Sequence, residues 1–226
     1  MDYLTTLDRI EVQLKKQLNS FFVFNDFSGI EESIKEAYER CLVTLSATNN
    51  KYLCPNGIPQ FSLEHSGCWS VFLYYLSNCL TKRPGGGQTA NQIYYLNKIL
   101  HSVDWYCEIG LPEHFMVEHP LGSVLGRAVY GDFLFLYQGV TIGGNVSLGE
   151  DAICYPVLGD YVLLYSNAKV LGNSHIGNNV IIAADASIIN EDIPDNSIVF
   201  GRSPNLVIKN DAEKILKQMR RIWRTI

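Results

Sequence analysis

A chain of 226 residues, 47% hydrophobic and 18% charged, carries apolar material for one sizeable core or two modest ones, which excludes global disorder. Its net charge of -5 argues against nucleic acid as the main partner, since phosphate backbones recruit basic faces. The opening stretch MDYLTTLDRIEVQLKKQL mixes charges with apolar residues and offers neither a signal-peptide core nor a membrane span. Cys41, Cys54, Cys68, Cys79, Cys107 and Cys154 form no CxxC pair, so reduced thiols and a cytoplasmic location are expected.

In chain order, four segments carry apolar residues at three- and four-residue spacing: 4–22, 30–45, 61–80 and 88–106. A Pro-Gly-Gly-Gly turn at 84–87 separates the last two. These predict helices whose aromatic faces pack against neighbours.

From about residue 105 the rhythm changes. Cut into sixes from Leu158, the sequence reads LGDYVL, LYSNAK, VLGNSH, IGNNVI, IAADAS, IINEDI. Each block opens on an aliphatic residue, namely Leu158, Leu164, Val170, Ile176, Ile182 or Ile188. The fifth places (Val162, Ala168, Ser174, Val180, Ala186) are small or apolar. A strand alternates by two and a helix by 3.6, so a period of six requires a hexapeptide solenoid, with three short strands per triangular coil of eighteen residues. Ile142 and Leu148 keep the period but lie out of phase, because 158 minus 142 is 16. GGNVSLGEDAICYP, residues 143–156, is therefore expected to loop out, and such loops gather function. The tail, EKILKQMRRIWRTI, reads as a basic amphipathic helix that caps the open end of the solenoid with its charged face in solvent.

Several stretches resemble the hexapeptide acyltransferases, and most of all the serine O-acetyltransferases. EHPLGSVLG is similar to that family's DHxTGxVxG, YQGVTIGGN to its VTLGG coil, NAKVLGNSHIG to its AKVLGN coil and SIVFGRSPNLVIK to its closing segment. The resemblance covers residues 103–208. It implies an α+β chain in two parts: a helical N-terminal domain over 1–104, a left-handed parallel β-helix over 105–208 and a C-terminal helix over 209–226. It also implies transfer of acetyl from acetyl-CoA, as co-substrate and without a metal, to the hydroxyl of a small acceptor.

By the same resemblance His119 is the general base, a role suited to an imidazole with an ordinary pKa of about 6.5. Asp104, fifteen residues upstream, is its expected partner. Gly144, Ser166 and Ala184 fall on coenzyme-contacting positions. Independently, Ser166, Ala184 and Arg202 are each eighteen apart, which predicts a vertical column of two small residues and a cation for a pantetheine arm and a phosphate. Backbone N–H groups of Gly143 and Gly144 would hold the oxyanion.

The departures concern the acceptor. Where the family has an arginine and a histidine in the loop after VTLGG, this chain has Cys154 and Tyr155, and no Lys or Arg occurs from Ala128 to Ala168. Arg127 or an adjacent subunit would have to supply a cation for an amino acid's carboxylate. Glu118, on the opposite strand face from His119, would serve the acceptor, and Glu64 beside His65 is a loose counterpart of the family's amino-group acid. The leading acceptor is L-serine. The alternatives are a sugar hydroxyl or another small alcohol and, in a different class, a non-catalytic trimeric scaffold. A flat-sided solenoid predicts a homotrimer or a dimer of trimers, with no nucleic-acid or membrane partner.

Overall fold

The computed structural model describes residues 5–23, 29–146 and 153–224. Leu148 and the last two residues of the tail lie outside these. The helices are α1 (Thr6–Phe21), α2 (Glu31–Ala47), α3 (Ser66–Thr81) and α4 (Gly87–His101). Thr5 caps α1 in a reciprocal box with Asp8. α3 is buried on nearly every side, as its all-round apolar sequence requires, and packs between α2, α4 and the first coils that follow.

Five coils then stack. The first holds β1 (Asp104–Trp105) and β2 (Phe115–Val117), and the second β3 (Val124–Leu125), β4 (Val129–Tyr130) and β5 (Leu134–Leu136). The third holds β6 (Thr141–Gly143), β7 (Val157–Leu158) and β8 (Val162–Leu164). The fourth holds β9 (Lys169–Leu171), β10 (His175–Ile176) and β11 (Val180–Ile182). The fifth holds β12 (Ser187–Ile189), β13 (Asp192–Ile193) and β14 (Ser197–Arg202), followed by β15 (Asn205–Asn210) in an antiparallel hairpin and α5 (Ala212–Ile222). Pairing between coils is parallel throughout and makes three flat faces: β1-β3-β6-β9-β12, β4-β7-β10-β13 and β2-β5-β8-β11-β14.

The hexad residues behave as their period demands. Leu158, Leu164, Val170, Ile176, Ile182 and Ile188 are all at most 3% exposed and point down the axis. Each such burial is worth roughly 1.5–3 kcal/mol. The same core runs without a break into the helices, from Ile10 of α1 to Val199 of β14.

Three departures from the eighteen-residue register matter. Six residues, 118–123, join β2 to β3, whereas four make the equivalent corner after β5, β8 and β11. Thirteen residues, 144–156, join β6 to β7, whereas three suffice after β3 and β9. This is the expected excursion, and its base is closed by an antiparallel bridge between Asn145 and Cys154. The last coil is short: Ile182 pairs with Val199, seventeen residues on, and Ser187 with Arg202, fifteen on.

α5 does not cap the end of the solenoid, as the sequence had implied. It runs down the β2-β5-β8-β11-β14 face, burying Ile215, Met219 and Trp223 against Met116, Phe135, Leu163, Ile181 and Ile198. These five outward residues form an apolar stripe that the inward-facing hexads conceal in the sequence. Trp223 meets Phe133 and Phe135 edge-on at 5.4 and 6.2 Å. Arg224 then ties the chain to Thr48 and Cys54 carbonyls at 2.7 and 2.6 Å.

Trp223→Ala is expected to cost about 3–5 kcal/mol in urea unfolding, as loss of a fully buried aromatic does. A loss under about 1 kcal/mol would mean that α5 is not docked on this face.

Candidate active site

The six-residue corner after β2 presents His119. Its frame is Ser123, fully buried, which donates to the Pro120 carbonyl at 2.7 Å and accepts the Trp105 indole N–H at 3.1 Å. Gly122 turns the chain at φ +70°, and its N–H reaches the Ser102 carbonyl at 3.0 Å. Pinned in this way, the two extra residues push His119 outward into the left-handed region, at φ +55°, with its ring exposed. That conformation costs a non-glycine residue on the order of 1–2 kcal/mol, which the fixed corner holds in place.

Glu118 turns the other way, half-buried, and lines a cavity of about 270 Å³ together with His65, Tyr137, Gln218 and Arg221. The first turn of α3 reaches this corner because residue 67 is glycine. A Cβ there would stand 2.4 Å from the Val117 carbonyl oxygen. His65 caps α3: its Nδ1 accepts the Cys68 N–H at 3.2 Å, so in the neutral ring the proton is on Nε2. Burial lowers the His65 pKa, the Glu118 charge opposes that shift, and nearby His119 adds to it. Burial, reinforced by Glu118 and Tyr165, pushes the Tyr137 phenol up to about 12. Tyr137 stacks flat on Tyr165 at 5.2 Å, and Gln218 of α5 donates to the Tyr165 hydroxyl at 2.9 Å.

Asp104 is not joined to His119. Tyr94 and Lys98, four apart on the last turns of α4, donate to its two oxygens at 2.5 and 2.7 Å. The imidazole–carboxylate pairs among the described residues are elsewhere. His114 Nδ1 meets Asp132 at 2.8 Å beneath a flat His114–Phe133–Tyr161 stack, and His175 meets Asp192 at 2.8 Å on the opposite face. The family spacing of fifteen residues before the histidine points to Asp104, but the α4 side chains that hold it carry no motif.

The other expected acceptor residues lie apart from this cavity. Glu64 is exposed and pairs with Arg9 at 3.7 Å. Tyr155 lies at a different corner, against Gly144, where a Cβ would come within 2.8 Å of its ring. Arg127 follows Gly126, whose N–H bonds the Ile142 carbonyl at 2.7 Å, so it is exposed beside the same corner. Gly143 is buried there and Gly144 exposed.

Of the predicted column, two members stack and one does not. The Asp185 N–H bonds the Ser166 carbonyl at 2.9 Å, which sets Ala184 directly over Ser166. Arg202 stands over Ser187 instead, because the short last coil carries β14 straight across the corner. Cations nonetheless surround Ala184. With Ala183, Phe200 and Tyr165 it lines a second cavity of about 540 Å³, whose other wall is Lys214, Lys217, Gln218 and Arg221 of α5. Gln218 and Arg221 line both cavities. The basic face of α5 is thus a wall of the groove. The sequence signal was present in the i, i+3, i+4, i+7 spacing of Lys214, Lys217, Gln218 and Arg221, but the face it opposes became visible only with the fold. Among the described residues no cluster of metal-ligating side chains occurs, and no helix is long and apolar enough to cross a membrane.

Comparison with known proteins agrees with the motif resemblance. Residues 155–190 match the family model for the bacterial transferase hexapeptide, six repeats. A serine acetyltransferase of Synechococcus elongatus is 35% identical over 122 residues, 54% of this chain and 48% of that protein. One of Bacillus pumilus is 29% identical over 157 residues, 66% of this chain and 67% of that protein. The alignments thus span about half of the first relative and two thirds of the second. A solved serine acetyltransferase in complex with CoA shares the fold, with a TM-score of 0.66 at 18% identity, over 92% of this chain and 86% of that one.

His65 is expected to titrate below 6.5. Because the unfolded chain then takes up a proton before the native one, this group withdraws stability as pH falls through 6.5. Glu118→Gln removes the opposing charge and should move the His65 midpoint further down, as read from its ring protons by NMR. An upward shift would contradict the arrangement.

Proposed function

We propose that the chain is an O-acetyltransferase that moves acetyl from acetyl-CoA to the hydroxyl of a small acceptor, with L-serine the leading candidate. The observation that carries this reading is the enlarged corner that presents His119 next to Glu118, which lines a small cavity with His65. The relatives named serine acetyltransferase and the CoA complex among the structural neighbours support it.

In this reading the neutral His119 imidazole takes the proton from the acceptor hydroxyl as its oxygen attacks the thioester carbonyl. The tetrahedral oxyanion is met by backbone N–H groups of Gly143 and Gly144. When it collapses the C–S bond breaks, and the imidazolium returns its proton to the departing thiolate. Asp104 is given no part in this step, since Tyr94 and Lys98 hold its carboxylate and no hydrogen bond joins it to His119. The pantetheine arm runs past Ser166 and Ala184, where small side chains let it lie against backbone, and its phosphates meet Lys214 and Lys217.

His119 and Gly143–Gly144 stand at different corners of one chain. A homotrimer that sets one subunit's His119 corner against a neighbour's Gly144 corner unites them, with Tyr155 and Arg127 at the seam. The neutral Tyr155 favours one second reading, a sugar or other uncharged alcohol as acceptor.

Following thiol release from acetyl-CoA with L-serine and then with a panel of sugars and alcohols tests the reading. Turnover with serine is expected, and release no faster than background with every acceptor would end the enzymatic reading. His119→Asn, which tolerates the left-handed corner, should lose about 10²–10⁴-fold in turnover with an unchanged unfolding midpoint. A loss under about tenfold would remove His119 as the base.

A further inference from the structure

We infer that Arg221 of α5 is the carboxylate anchor of the acceptor site and, with Glu118, selects a zwitterionic α-amino acid. This rests on the acetyl-transfer reading for its chemistry but on the cavity itself for its geometry.

The cavity behind the corner that bears His119 is lined by one acid, Glu118, and one arginine, Arg221, which come from unrelated elements, while His119 itself lies outside the lining. No ion pair joins them, and among the described residues neither has any other salt-bridge partner. His65, the remaining titratable ring in the lining apart from Tyr137, is held toward its neutral form by burial. The cavity therefore offers one negative and one positive group across a neutral floor. At about 270 Å³ it falls just below the range for drug-sized ligand sites, roughly 300–1,000 Å³, which suits a molecule as small as an amino acid.

An ammonium beside Glu118 and a carboxylate beside Arg221 would neutralise both groups at once, and the short side chain between them would aim its hydroxyl toward the corner that bears His119. Arginine suits the task because its planar fork bonds both carboxylate oxygens. The guanidinium is steadied from behind: its Nη1 lies 3.5 Å from Gln218 Oε1, and Gln218 in turn bonds Tyr165. This explains how the chain dispenses with a cation in the loop, where Tyr155 stands. The cation comes from the C-terminal helix instead, and it shares a cavity with Glu118 of its own chain.

Calorimetric titration with L-serine, with ethanolamine (no carboxylate) and with 3-hydroxypropanoate (no ammonium) tests this without acetyl-CoA. Wild-type protein should bind L-serine at least about tenfold more tightly than either analogue. Arg221→Gln should weaken L-serine binding about ten- to hundredfold, the scale of a lost charged hydrogen bond, and leave ethanolamine unchanged. Arg220→Gln, one residue away and exposed, should change neither, and far-ultraviolet circular dichroism should be the same for all three proteins. Because Arg221 also borders the groove beside Ala184, the KM for acetyl-CoA in Arg221→Gln should rise by a smaller factor than the Kd for L-serine.

Undiminished L-serine binding in Arg221→Gln overturns the inference. So does equal loss of L-serine and ethanolamine, a rise confined to the acetyl-CoA KM, or no L-serine binding by wild type. Arg221-dependent binding without acetyl transfer would instead retain the zwitterion site and remove the acetyltransferase reading. Acetylation of L-serine undiminished by Arg221→Gln would do the reverse.

Discussion

The structure depends on one repeated interaction: an aliphatic side chain set down the axis at every sixth residue, stacked on its counterpart one coil below. Parallel strand pairing fixes the vertical order, and the inward column fixes which residue faces in. A shift of one residue in any strand would turn its aliphatic outward. The column therefore tolerates change only at corners, where the chain has already left the ladder. That is where this chain departs from its period. Two extra residues form the corner that bears His119, ten extend the loop that carries Tyr155, and the last coil is one residue short at Asp192 and three short at Arg202.

Each departure has a chemical consequence. The enlarged first corner moves His119 out and turns Glu118 in, and Gly67 lets the first turn of α3 close against it to bring His65. The shortened last coil sends β14 across its corner, and the β15 hairpin then returns the chain so that α5 descends the same flank. The apolar side of α5 buries Ile215, Met219 and Trp223, which leaves Lys214, Lys217 and Arg221 at the groove. Packing and function are thus two faces of one helix: the buried residues set the height at which the cations stand.

The solenoid and the excursion after β6 are legible in the sequence because each rests on local spacing, and the corner at His119 is legible because proline and glycine mark it. The residues that failed did so where spacing stops being local. Counting eighteens sets Arg202 over Ala184, and the count breaks where the coil shortens. Asp104 was assigned by distance along the chain, whereas Tyr94 and Lys98 reach it from a helix that the repeat does not describe. The basic tail read as a solvated cap because the stripe it covers, Met116 to Ile198, occupies the outward positions of the hexads and recurs only every coil. Arg221 could not be matched with Glu118 from sequence, since 103 residues and two changes of direction separate them.

The most direct test is a crystal structure of the protein with L-serine and coenzyme A. The account predicts the ammonium at Glu118, the carboxylate on Arg221 of the same chain and the hydroxyl within hydrogen-bonding distance of His119. L-Serine held by Tyr155 and Arg127, with Arg221 turned to solvent, would contradict it.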